Sequence, residues 1–398
     1  MSTVIESLQE TTPNLPETHY VDNRLYTDQG IFAEERERVF RRVWNFVCHE
    51  SEVRTPGDFR VVNVAGFPIL LARGQDGVLR AFYNICRHRA APVVRQECGN
   101  AKAFQCFYHL WTYGLDGQLI GVTRPEGYAG TGFRKEDFPL LPVRVEVAAG
   151  LVFVCLSEET EALREYLGEL LSYLEEPLAG GELEVFHYHQ AVIKTNWKLW
   201  MDNNTESYHG FLHVLNRRTG SLEPGPLSRK RTLFANGHTM LGRDGLASAD
   251  YEAGRRDARG DYRFPGLAHN EGLHATFFPD TMTLWRTTVL RIDRMVPLSL
   301  GRTLVEWRGL GLKSDTPEVR ALRLHHHNQF WGPAGRNLPE DIMAVETQWE
   351  CMQSGAMRYS IFAREEELRA QDDGNVRHFY QEWGRRMGRD PARPFDAA

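Results

Sequence analysis

Residues 84–114 read NICRHRAAPVVRQECGNAKAFQCFYHLWTYG. Two short clusters stand at its ends, Cys86-Arg87-His88 and Cys106-Phe107-Tyr108-His109, in the pattern Cys-x-His-x17-Cys-x2-His. Each pair falls on a loop between runs that read as strands, so two thiolates and two imidazoles can be presented to one centre. Zinc accepts two sulfurs and two nitrogens tetrahedrally. A two-iron, two-sulfur centre instead places both cysteines on one iron and both histidines on the other. Zinc sites of this kind sit in small closed units that often use a helical ligand pair, whereas both pairs here lie in a β context, with aromatics and Gly114 close behind the second pair.

Working outward, short apolar or alternating runs such as FRVVNV, FPILLAR, VLRAFYN and GLVFVCL fill residues 57–155. Gly, Pro, Asn and Asp break them, which predicts a compact all-β unit. The stretch before it, residues 28–47, has Ile31, Phe32, Val39, Phe40, Val43 and Trp44 at helical spacing and predicts an amphipathic helix. A second helix is predicted over residues 160–178, where the chain leaves the β unit. Further on, HATFFPDTMTLWRTTVLRIDRMVPL and RTLVEWRGLGL read as adjacent strands of an antiparallel sheet, residues 224–272 as a long loop or lid, and residues 346–387 as helical.

Bulk properties narrow the function classes. A chain of 398 residues exceeds what a single core readily serves, so two domains are expected. A formal net charge of −6 without a long basic run argues against nucleic-acid binding and favours small molecules or proteins as partners. There is no apolar run long enough to span a bilayer, and the first residues lack the basic start and apolar middle of a secretory signal, so a cytoplasmic location is expected. Six irregularly spaced cysteines give poor support for a disulfide scaffold. Cys48, Cys98 and Cys155 read as ordinary small thiols.

A second constellation lies at residues 195–213, TNWKLWMDNNTESYHGFLH. On a helix His209 and His213 would share one face and reach one metal. Two histidines and a carboxylate on one side of an iron(II) leave positions open for oxygen. Other histidines compete for attention. His325, His326 and His327 are consecutive and point in different directions, which suits a structural or supporting role. His187 and His189 share a strand face and could line a cavity, although packing is the plainer reading. Arg286, Arg291 and Arg294 read either as sheet-face ion pairs or as a two-point clamp for a carboxylate.

The first constellation resembles the Rieske ferredoxin-like domain, over most of residues 41–155. The second, Asn196-Trp197-Lys198 leading into Glu206-Ser207-Tyr208-His209 and His213, resembles the catalytic domain of Rieske non-haem iron ring-hydroxylating oxygenase large (alpha) subunits. Together the likeness runs from about residue 30 to Met387. It implies an α+β protein, with an antiparallel β Rieske domain at residues 41–155 and a catalytic domain formed by residues 1–40 and 156–398, whose curved antiparallel sheet is covered by helices.

It further implies a [2Fe-2S] cluster on Cys86, His88, Cys106 and His109, and a mononuclear Fe(II) on His209, His213 and Asp341. Asp341 follows the Gly332-Pro333-Ala334-Gly335 turn, and Glu340 is its close rival. Glu206 matches the family carboxylate that joins His209 to a cluster histidine, His109, of a neighbouring chain. Ring-hydroxylating members usually have aspartate there, and a glutamate is associated with some amine-oxidising relatives.

The activity so implied is hydroxylation or cis-dihydroxylation of an aromatic substrate, an aromatic carboxylate in first place, in aromatic compound catabolism. O2 and NADH serve as co-substrates, the electrons arriving through a reductase with or without a ferredoxin. The implied assembly is a homotrimer or three such chains with three small β subunits. A monooxygenase acting on a quaternary amine, or by oxidative demethylation, is the enzymatic alternative. An iron–sulfur electron-transfer or sensing protein using only the first constellation is the non-enzymatic one.

Overall fold

A computed structural model describes residues 11–178, 182–206, 208–214, 217, 231–241, 263–265, 267, 272–286, 288–364 and 372–395. The chain starts with β1 (Tyr20–Asp22), α1 (Arg24–Thr27) and α2 (Gln29–Arg38). Asp28 caps α2 by accepting a hydrogen bond from the Ile31 N–H, which satisfies one of the helix's end donors. The helix predicted over residues 28–47 stops at Arg38. Phe40–Arg42 tightens into a 3-10 turn and β2 (Asn45–His49) follows, buried at every position. Val43 and Trp44 keep the helical spacing but form the bend that leads into β2, where burial in a sheet takes over.

Phe40–Leu163 forms one compact unit, and Met1–Val39 with Arg164–Ala398 forms the other. The first unit contains β2, β3 (Asp58–Val64), β4 (Phe67–Arg73), β5 (Leu79–Tyr83), β6 (Cys98–Asn100), β7 (Phe104–Gln105), β8 (Thr112–Tyr113), β9 (Leu119–Gly121), β10 (Pro142–Ala148) and β11 (Leu151–Cys155). Seven strands make an antiparallel sheet in the order β2-β11-β10-β5-β4-β3-β6, and β7-β8-β9 make a smaller one. Ala65 and Gly66, both at positive φ (46° and 91°), close β3 onto β4 in the tight turn that matches strand twist. Leu70, Phe82, Val93, Phe104, Trp111 and Tyr113 pack into one core with Cys86 and Cys106.

The second unit continues with α3 (Leu163–Leu167) and α4 (Leu170–Leu178). Gly168, at φ +53°, divides the helix predicted over residues 160–178 into these two. Next come β12 (Leu183–Ile193), α5 (Trp197–Thr205), β13 (Arg231–Leu233), β14 (Thr239–Leu241), β15 (Gly272–Phe277), β16 (Thr281–Arg286), β17 (Val289–Ser299) and β18 (Arg302–Leu312). These strands form an antiparallel sheet ordered β12-β18-β17-β16-β15-β14-β13. β17 is buried without interruption from Val289 to Pro297, so both of its faces are covered. The expected loop at 224–272 contains β13 and β14, and most of its remainder lies outside the described residues.

α6 (Pro317–Trp331) and α7 (Leu338–Gln353) follow, then β19 (Tyr359–Ile361), which pairs with β1, and α8 (Gly374–Met387). The tail predicted as helical is therefore helix, strand and helix. Both units are built on antiparallel sheets, and helices gather in the second, an α+β arrangement.

The Asn-Trp-Lys run at the head of α5 has a mechanical role. Asn196 accepts from the Lys198 N–H at 3.0 Å as an N-cap and donates to the carbonyls of Tyr26 and Leu300. Trp197 Nε1 and Lys198 Nζ both donate to Glu35, at 2.8 and 2.6 Å, as does Trp383 Nε1 at 2.8 Å. This fully buried junction binds α2, α5 and α8 together and fixes where α5 ends.

Candidate metal centres

The two cysteine loops share one backbone pattern. The Cys86 N–H donates to the Ala91 carbonyl and the Ala90 N–H returns to the Cys86 carbonyl, at 2.8 and 3.0 Å. In the second loop, Cys106 N–H to Trp111 and Leu110 N–H to Cys106 repeat this at 2.9 and 3.0 Å. Ala90 and Leu110 both take φ +59°, a conformation costly for residues with a Cβ and held here by the surrounding bonds.

Both thiols are buried and both imidazoles half-buried. The rings of His88 and His109 lie 4.4 Å apart, and His88 stacks on Trp111 at 4.8 Å. His88 Nδ1 is buried without a hydrogen-bond partner, as a nitrogen reserved for a ligand bond would be. Tyr113 Oη lies 3.4 Å from Cys86 Sγ and accepts from the Arg87 N–H at 3.0 Å. Two soft sulfurs and two nitrogens in this buried cradle fit the iron–sulfur group.

At the end of α5 the chain departs from the expected helix. Glu206 is extended (φ −96°, ψ 162°), and its carboxylate accepts from the His209 N–H at 3.0 Å, starting a separate 3-10 turn, Tyr208–Phe211. His209 and His213 thus do not share an α-helical face. Ser207 lies outside the described residues. The rings still converge: His209 Nε2 and His213 Nε2 lie 3.5 and 3.6 Å from one oxygen, Asp341 Oδ1. Ligand atoms of all three residues fall within 4.8 Å of one another.

Asp341 arrives from the first turn of α7, which the Gly332–Gly335 turn sets after α6 (Gly335 N–H to Gly332 carbonyl, 2.7 Å). Its Oδ1 is buried and accepts no hydrogen bond. Burial raises the Asp341 pKa, with the two histidines working against it. For His209, burial opposes protonation, but Glu206 outweighs it and the pKa rises.

The outer nitrogens are held as firmly. His209 Nδ1 donates to Glu206 Oε1 at 2.5 Å and His213 Nδ1 to Glu340 Oε2 at 2.8 Å. Carboxylates can only accept there, so both Nε2 lone pairs face Asp341. Glu340, expected as a rival third ligand, faces away from that point and orients His213 instead. An orphaned oxygen between two lone pairs is a fit for a divalent iron.

Comparison with known proteins gives the family. Residues 43–132 match the Rieske [2Fe-2S] domain, and residues 181–389 match the ring hydroxylating alpha subunit (catalytic domain). The chain belongs to the Rieske non-haem iron oxygenases.

Membership makes this oxygenase an oxidoreductase and implies both an iron–sulfur centre and a non-haem iron, which sets aside the zinc and electron-transfer-only alternatives. It is 41% identical to the 2-aminobenzenesulfonate 2,3-dioxygenase subunit alpha of Alcaligenes sp, over 94% of this chain and 95% of that one. It is 38% identical to the methanesulfonate monooxygenase hydroxylase subunit alpha of Methylosulfonomonas methylovora, over 96% and 94%. Among solved structures, naphthalene 1,2-dioxygenase from Rhodococcus sp. bound to indole shares the fold with a TM-score of 0.80 at 24% identity, covering 92% and 94%. No helix among the described residues is long and apolar enough to cross a membrane.

The arginines of the oxygenase divide by sheet face. Arg294 pairs with Glu306 at 3.5 Å and Asp280 at 3.9 Å, the sheet-face ion pair that strand context suggested. Arg291, on the other face, pairs with Asp293 at 2.8 Å and lies against the Trp331 ring, 4.2 Å from its centroid. Arg286 also lies over Trp331. His326 donates or accepts at Thr288, while His327 turns toward His187 and His189 on β12. Neither the Glu340 contact nor this histidine group was assigned from sequence. The His-x-His spacing on a strand was the available signal for the second.

Proposed function

We propose that this chain is the terminal oxygenase of a multicomponent system, using O2 and electrons that originate on NADH and arrive through a reductase, with or without a ferredoxin, to oxygenate a small organic anion. The convergence of His209, His213 and Asp341, with each histidine's far nitrogen on a carboxylate, carries this reading. Cys86, His88, Cys106 and His109 would hold the cluster in a domain of residues 41–155, and His209, His213 and Asp341 the iron in residues 1–40 and 156–398. When bound, the cluster supplies single electrons and the iron supplies activation of dioxygen. The chain's own part is orientation: Glu206 and Glu340 keep Nδ1 protonated on both ligating histidines, and the buried junction at Glu35 fixes the end of α5 from which they hang.

For the substrate, two relatives are named for organic sulfonates, one aromatic and one with a single carbon. An organic sulfonate is therefore placed ahead of the aromatic carboxylate that the resemblance suggested. A quaternary amine fits less well, because the buried Arg291 lies within electrostatic reach of Asp341 and would repel it.

A trimer, alone or with small β subunits, is part of the proposal. Phe107, Tyr108 and Leu110, each about half exposed on the loop that bears His109, support a contact surface there. The test is reconstitution with a reductase and NADH. Substrate-dependent O2 consumption and oxygenated product from benzenesulfonate, methanesulfonate or benzoate are expected, and loss of both in His209→Ala. NADH-dependent oxygenation surviving in His209→Ala would overturn the assignment.

A further inference from the structure

Beside the iron triad, the same unit carries a second group of imidazoles, His327 buried and His187 and His189 half-buried. His187 and His189 project from one face of β12, and His327 descends on them from α6. Ligand atoms of the three lie within 4.8 Å of one another, and the rings of His187 and His327 meet edge to face at 4.8 Å. The strand register extends the group: His187 stands opposite Gly309 of β18, and Gly309 stands opposite Arg291 of β17. At Gly309 even a Cβ would lie 3.2 Å from His327 Nδ1 and 3.3 Å from the His187 Cβ, so a bare backbone is what lets the helix approach the strands here.

These side chains are rich in unused donors. His187 Nε2 and both nitrogens of His327 are buried and make no hydrogen bond, and His189 has only the Trp331 backbone within reach. Arg291, 3% exposed, spends Nη2 on Asp293 and leaves Nε and Nη1 without an acceptor. Buried polar groups are nearly always satisfied, so such a concentration points to a bound species.

Its charge follows from the surroundings. A divalent cation would face the Arg291 guanidinium with no carboxylate among the three imidazoles. An anion would gain the two N–H groups that Arg291 does not spend on Asp293, together with three imidazole N–H donors. Burial lowers His189 to about 4 and drives His327 further down, so these rings stay neutral and each can donate one N–H. Arg291 also lies within electrostatic reach of Asp341, so the group borders the iron triad, and the Trp331 ring lies against Arg291 and edge-on to His327.

We infer that His187, His189, His327 and Arg291 form the subsite that receives the sulfonate group of the substrate. Three oxygens in a tetrahedral array need donors from three directions, and two neighbouring strand positions, a helix and an arginine supply them. A planar carboxylate would leave part of the set unused. Sulfonate oxygens are too weakly basic to take a proton from a neutral imidazole, so the hydrogen bonds keep one polarity. This subsite rests on the proposed oxygenase function and deepens it.

The test is calorimetric binding of benzenesulfonate, methanesulfonate, benzoate and acetate to the iron-replete protein and to the variants His187→Phe, His327→Asn and Arg291→Lys. Each sulfonate should bind at least about tenfold more tightly than its carboxylate counterpart. His187→Phe and Arg291→Lys should each weaken sulfonate binding about tenfold or more, with iron content and the cluster's EPR signal unchanged. His327→Asn, which keeps an N–H, should lose less. Should the variants fail to fold, C2-proton exchange of histidines in the unmutated protein, read by mass spectrometry, answers the same question: benzenesulfonate should slow it at His187 and His327.

Unchanged affinity in folded variants, or unchanged exchange, overturns the subsite and leaves the oxygenase reading standing. A further metal equivalent per chain that disappears with His187→Phe overturns it in favour of a metal site. If neither sulfonates nor carboxylates bind and none is turned over, the functional reading itself falls.

Discussion

Glu340 Oε2 lies 2.8 Å from Nδ1 of His213, and the two residues are 127 positions apart in the chain. Glu340 therefore works through His213, while its neighbour Asp341 faces the point where the three ligand atoms converge. Glu340→Gln keeps the shape but weakens the acceptor. Iron affinity at this centre should fall about 10- to 100-fold. Iron and sulfide counts after dialysis against a chelator check this: two irons and two sulfides should remain, and full retention of the third iron would refute the assignment.

Glu35 and Lys198 form a fully buried ion pair at 2.6 Å. Removing only the carboxylate leaves a buried ammonium, which costs about 3–5 kcal/mol, whereas replacing both partners with apolar residues of similar volume is often close to neutral. Glu35→Ala should therefore be strongly destabilising, and Glu35→Met with Lys198→Met much less so. Chemical denaturation of the three proteins decides, and a double variant as unstable as the single one would count against the argument.

Burial pushes Asp202 up to about 7, against hydrogen bonds from Tyr26 and Tyr380. The folded chain thus holds this proton more tightly than the unfolded chain. The contribution to stability is complete below the ordinary carboxylate range and is lost as pH rises from about 4 to about 7. Asp202→Asn should lose less stability than the parent over that window. Urea midpoints at pH 5 and pH 8 measure it, and equal declines in both proteins would dismiss the role.

Burial, and next the Cys86 sulfur beside it, push the Tyr113 phenol above its ordinary range, so it keeps its proton and can donate toward Cys86 Sγ at 3.4 Å. Hydrogen bonds to cluster sulfurs favour the reduced, more negative state. Tyr113→Phe should make the midpoint potential of the cluster more negative. A redox titration followed by EPR reads this directly, and an unshifted midpoint would remove the proposed hydrogen bond.

Local patterns carried far in this chain. Paired Cys and His spacing located both cysteine loops, and alternating runs from His274 to Leu312 located β15 to β18. What stayed hidden was decided by distant partners. Val43 and Trp44 keep helical spacing, yet β2 pairs with β11 more than a hundred residues later. His209 and His213 looked like one helical face, but the Glu206 carboxylate draws off the His209 N–H and breaks the helix. Glu340 and His327 gain their neighbours only when α6 and α7 pack on the sheet, and no local spacing records that.

The matched loops around Cys86 and Cys106 have a consequence for the kinetics of charge transfer. Each is laced shut by its own amides, with Ala90 and Leu110 locked at the same dihedral. Walls stitched this way leave the backbone little freedom to relax, so a cluster held between them would gain or lose an electron with little rearrangement of the protein around it.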